Sequence, residues 1–104
     1  MNAVAAALSA LFLDPHLSRP GLYRVQGAGS AATVRVILQA PDELHEFAGA
    51  RVVVDTTIID IRVSDASALA KGDTIEVDGV VYRMVGAPRR SADRLVWRTE
   101  AQPA

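Results

Sequence analysis

Apolar and polar positions change period once along the chain, from the three-to-four spacing of a helix to the alternation of strands. Val4, Leu8, Leu11 and Phe12 fall on one helical face, and the alanines between them favour helix. A helix is therefore expected over residues 3–13. Asp14-Pro15 ends it, because proline lacks an N–H donor and restricts the residue before it. This helix is expected to cap a barrel, with docking to a partner as the alternative. After the Pro20-Gly21 turn the period becomes two. Leu22–Val25 and Thr33–Leu38 read as strands joined through Gly27-Ala28-Gly29-Ser30. Ile59, Ile61 and Val63 alternate with Ile58, Asp60 and Arg62 in a further strand.

The second half carries the plainest signal. Lys71-Gly72-Asp73 turns into Thr74-Ile75-Glu76-Val77, and Asp78-Gly79 suits a two-residue turn with positive φ at both positions. Val80–Val85 returns as the partner strand, and Leu69 in the connector before the turn is expected to plug the core. Pro88–Asp93 reads as an exposed loop, Leu95–Arg98 as the last strand with Trp97 in the core, and Glu100–Ala104 as a frayed tail. Between these strands lies a long segment, residues 40–57. Its acidic half, Pro41-Asp42-Glu43-Leu44-His45-Glu46-Phe47, is a candidate channel or subunit-contact loop with room for a helical turn; Val52–Thr57 reads as strand or extension. The fold class is mainly β: a small antiparallel barrel or sandwich, about 21–100, with a short N-terminal helix.

Composition narrows the setting. At 104 residues the chain is read as a single soluble domain, 1–104, and half its residues are hydrophobic, which argues against disorder. The formal charge of −1 does not mark a dedicated nucleic-acid binder. No Lys or Arg precedes the apolar start, and that run is shorter than the roughly 20 residues of a membrane span, so neither a secretory signal nor a membrane partner is expected.

Candidate chemistry is sparse. The chain contains no cysteine, which removes disulfides, thiolate zinc sites and a cysteine nucleophile. His16 and His45 stand in different segments without metal-ligand spacing, and no Gly-x-Ser-x-Gly elbow occurs. Gly27-Ala28-Gly29 lacks the Lys-Ser/Thr of a phosphate loop and runs into a strand. Asp42, Glu43 and Glu46 lack calcium-loop spacing. No catalytic residue, cofactor site or metal site is expected, and an enzyme ranks last. The basic residues Arg83, Arg89, Arg90, Arg94 and Arg98 gather towards the end. Arg89, Arg90 and Arg94 form a candidate partner-contact loop, with a local ion pair to Asp93.

From Pro41 onward the order of features resembles the lambda-type head–tail joining proteins of tailed phages, also called head-completion or stopper proteins. The acidic loop Pro41–Leu44, Ala48-Gly49 before Val52–Val54, the strand Ile58–Val63, Leu69, the Lys71–Val77 turn and strand, the Asp78-Gly79 hairpin and Leu95–Trp97 carry it together. The resemblance implies a small barrel without cofactor or catalysis. It implies a ring, usually of six copies, between the portal or adaptor and the tail terminator or tail tube, with packaged DNA passing through. The location implied is the neck of a virion, or of a prophage or gene transfer agent particle, with synthesis in the bacterial cytoplasm. It also implies that residues 41–57 contact the channel or a neighbouring subunit. The alternatives are a tail terminator or other tube-end ring protein, and a nucleic-acid-binding barrel of the SH3 or OB type. The last would show aromatic side chains on an exposed sheet face.

Overall fold

Helix α1 spans Ala3–Leu13 and stops where the sequence places Asp14-Pro15. The computed structural model describes residues 3–39, 44–47, 50–53 and 56–104, so Pro41, Asp42 and Glu43 lie outside the described residues. After the helix the strands are β1 (Arg19–Arg24), β2 (Ala32–Gln39), β3 (Leu44–Phe47), β4 (Ala50–Val53) and β5 (Thr57–Arg62). They continue as β6 (Thr74–Val77), β7 (Val80–Met84), β8 (Arg89–Arg90) and β9 (Val96–Pro103).

Six strands close into an antiparallel barrel in the order β5-β2-β1-β6-β7-β9, with β9 returning to β5 and β8 added on the far side of β9. Closure leaves those six without a free edge, which removes the usual template for unwanted strand pairing. Alternation sends Val34, Val36, Ile59, Ile61, Ile75 and Val77 inward, where Met84, Ala101 and Leu69 complete the core. Burying one such isoleucine is worth about 1.5–3 kcal/mol. An exposed pair such as Arg19–Asp78, at 2.7 Å, contributes about 0–1 kcal/mol, so packing rather than surface charge holds the barrel. The Asp78-Gly79 turn has φ of 51° and 82°, the left-handed pair that joins β6 to β7 with matching twist.

Several expectations are corrected. The tail after Glu100 is not frayed: β9 continues to Pro103, Ala101 is fully buried opposite Met84, and the Ala104 N–H donates to the Val81 carbonyl at 2.8 Å. Trp97, Thr99 and Ala101 all point inward, so the strand gains core contacts along its length. The helix does not cap the barrel mouth. It lies on the outside of β2, where Arg35, which alternates with the core-facing Val34 and Val36, donates to the Phe12 carbonyl at 3.2 Å. Phe12 is buried there outside the main core cluster, under the Arg62 guanidinium at 5.5 Å, while Leu8 is only half-buried and Leu11 is exposed. Lastly, Asp93 makes no ion pair with an arginine among the described residues; it accepts from the Ser91 hydroxyl and the Leu95 N–H.

In the segment read as a loop, Leu44–Phe47 pairs antiparallel with Ala50–Val53, Leu44 opposite Val53 and Phe47 opposite Ala50. Four-residue arms flanking Ala48-Gly49 suit a hairpin, and the β-branched valines favour extended backbone. This hairpin forms a separate two-stranded sheet inserted between β2 and β5.

Candidate functional site

Asp73 organises the Lys71-Gly72-Asp73 turn. It is fully buried, and its carboxylate accepts from the Tyr23 hydroxyl at 2.6 Å, the Ala70 N–H at 2.9 Å, and both the backbone N–H and side-chain amide of Gln26 at 2.9 Å. Burial pushes the acid's pKa up, but the donors from Tyr23, Gln26 and Ala70 together outweigh it and hold Asp73 below its ordinary value. Tyr23 moves the other way: burial first, then its hydrogen bond to the Asp73 charge, raise it above its ordinary 10.0. A buried, fully satisfied carboxylate with no open approach is a structural tie between β1 and β6, not a catalytic acid. It also fixes the Gln26 turn, where Gln26 takes a φ of 54°, and so sets the loops at that end of the barrel.

Beside β8 and β9 lies a surface depression. Ile58, Gly86, Ala87, Arg89, Arg98, Thr99 and Glu100 line a groove of about 400 Å³. Arg89 stands opposite Arg98 in the β8–β9 register. The Arg98 guanidinium is held by Asp60 through Nε at 2.9 Å and Nη2 at 3.1 Å. Its pKa is raised by that hydrogen bond and by the Asp60 charge. Arg90, opposite Trp97, stacks over the indole at 4.6 Å, and the Trp97 N–H donates to the Ala66 carbonyl at 2.8 Å. Arg89 and Arg98 therefore sit on paired strands, although the sequence predicts an exposed loop for Arg89.

The candidate residues divide as follows. Arg89 and Arg90 come together on β8, and Arg94 sits in the connection to β9 with a φ of 61°. Leu44, His45, Glu46 and Phe47 form β3; Pro41, Asp42 and Glu43 fall outside the described residues. Arg98, read from the sequence only as one of the clustered basic residues, joins the groove with Ile58 and Glu100, which the sequence did not single out; the strand register reveals that they share an outward row. His16 is exposed, its N–H bound to its neighbour Asp14. Among the described residues no cluster of His, Asp or Glu is placed to hold a metal, and no helix is long and apolar enough to cross a membrane. The one tryptophan and Tyr23 point into the core rather than forming an exposed stacking platform.

The arrangement offers binding surfaces around a closed barrel: an arginine-bearing groove, an apolar helix on the outside, and a hairpin apart from the main sheet. A search of curated proteins finds no match. A protein-family model described as Phage Head-Tail Attachment protein matches residues 1–101, nearly the whole chain.

Proposed function

The chain belongs to the phage head–tail attachment protein family, and from that premise we propose that it acts as a stopper ring in the particle neck. Membership gives a structural role in joining head to tail and a place in the virion. The finer reading is that several copies, six by the family resemblance, close the exit of the DNA-filled head and present a surface to the tail. The head-side partner is the portal or adaptor, the tail-side partner is the tail terminator or tube, and DNA passes through the channel without a cofactor or a chemical step.

The family match over residues 1–101 carries this reading. The fold supports it physically. A closed barrel is a stiff spacer, with β3 and β4 paired in a sheet of their own and the helix outside the main core cluster. Exposed Leu11, Leu13 and Leu17 leave apolar surface that a partner in an assembly would cover. The test is imaging of particles made without this chain. Full heads and complete tails that fail to join support the reading; joined particles in normal number refute it.

A further inference from the structure

Helix α1 carries two apolar stripes, and the barrel covers one of them. On the covered side Phe12 is buried and Leu8 half-buried. Elsewhere on the helix Ala6, Ala10 and Leu13 recur at intervals of four and three, and all three are exposed. The turn that follows extends this second stripe. The Leu17 and Ser18 N–H groups donate to the Asp14 carbonyl at 3.1 and 2.9 Å, which sets Leu17 one turn beyond Leu13. Leu13 is 66% exposed and Leu17 49%. From Ala3 to Leu13 only Ser9 is polar and no side chain is charged. A helix that is apolar all round belongs in an interior, and such a stripe left exposed marks a contact surface.

The β8–β9 groove has the matching character. Its charges cancel: Arg98 is engaged by Asp60, and Arg89 is offset by Glu100. Ile58, Gly86 and Ala87 supply its apolar lining, and exposed Val85 directly precedes them. A cleft of about 400 Å³ without net charge favours an uncharged apolar occupant, since a charged one would lose hydration without gaining a counter-charge. The groove and the helix also face different ways. The helix lies on β2 and the groove on β9, two places apart in the six-strand circuit, so the two faces diverge by about a third of a turn. With barrel axes parallel to the ring axis, that is the angle between the two neighbours of a subunit in a ring of six. We propose that the stripe Ala6-Ala10-Leu13-Leu17 of one copy packs into the β8–β9 groove of the next, with Leu13 against Ile58 and Ala87. The contact is heterologous, and such contacts close into a ring when the rotation permits. The proposal rests on the ring reading above and assigns its subunit interface.

The chain has no native cysteine, so introduced cysteines report contacts cleanly. Particles lacking the natural chain are supplied with a mixture of Leu13→Cys and Ala87→Cys chains, and joined particles are treated with a short bis-maleimide. A covalent dimer of the two variants is expected, because only a contact between copies brings these cysteines together. A mixture of Leu13→Cys and Ser30→Cys chains should stay monomeric. Joined particles without the dimer, or with equal bridging to Ser30→Cys, overturn the interface and leave the stopper reading standing. Bridging of Leu13→Cys to a head or tail protein alone assigns the stripe to that partner and likewise overturns the interface. Failure of the natural chain to join heads to tails overturns the stopper reading itself.

Substitution gives an independent readout. Leu13→Glu and Ala87→Glu change exposed positions, so each should leave the urea midpoint of the free chain unchanged while lowering the yield of joined particles roughly tenfold or more. Val25→Glu, at a position 62% exposed, should change neither quantity. Normal yield with Leu13→Glu or with Ala87→Glu, or an equal loss with Val25→Glu, contradicts the proposal.

Discussion

Tyr23 donates its hydroxyl to Asp73 at 2.6 Å across fifty positions of sequence, inside the barrel wall. That contact ties β1 to the turn before β6, and the same carboxylate collects the N–H groups of Gln26 and Ala70. Asp73→Ala should strand several buried donors at once and cost about 3 kcal/mol or more, whereas Tyr23→Phe, which removes one donor and leaves the others, should cost about 1–2 kcal/mol. Equilibrium denaturation in urea measures both. Equal losses would mean that the network does not centre on Asp73.

The same pair sets the pH limits of stability. Asp73 is held below the ordinary carboxyl value of 3.8, so its stabilising contribution is complete above that value and is lost as pH falls through the lowered folded one. Tyr23 is raised above 10.0, so its contribution is present below 10.0 and declines as pH rises towards the folded value. Thermal melts across pH should show both limbs, and Tyr23→Phe should flatten the alkaline one.

Gly72 joins the turn to the network at close range. Its φ is 93°, and an added Cβ would lie 2.7 Å from the Gln26 side-chain oxygen. Gly72→Ala should destabilise by about 1–3 kcal/mol through backbone strain and displacement of Gln26. Gly79, at φ 82° with open space around it, should lose less on the same change. Paired denaturation curves decide the order.

The C-terminal end of the helix is tied to the barrel by Arg35, which donates to the Phe12 carbonyl at 3.2 Å and to the Ser18 hydroxyl at 2.9 Å and carbonyl at 3.1 Å, while the Ser18 hydroxyl itself donates to the Phe12 carbonyl. Arg35→Ala should raise hydrogen exchange in residues 3–13 while the β5 and β9 amides stay protected. Uniform exchange throughout the chain would show that helix and barrel open together.

The barrel was legible because its strands alternate cleanly: Ile59 and Ile61, or Ile75 and Val77, announce an inward face, and Asp78-Gly79 names its turn. β9 was cut short because its inward positions after Trp97 are Thr99 and Ala101, whose small or polar side chains blur the alternation. The helix was readable as a helix, but its periodicity says which face is apolar and not which surface receives it; Arg35 looked like an ordinary strand residue. Asp73 looked like a turn residue because its partners Tyr23 and Gln26 lie fifty and forty-seven positions away. The arginines were visible as a cluster, yet the groove required the register that sets Arg89 beside Arg98 and the β5–β9 ladder that brings in Ile58.

The central claim, that this chain joins head to tail, is tested most directly by adding the purified chain to an extract of separately complete heads and tails made without it. The account predicts that joined, infectious particles appear in proportion to the chain added, and that tailless heads retain their DNA once it is bound. Joining at the same rate without the chain, or no joining at any amount of it, would contradict the account.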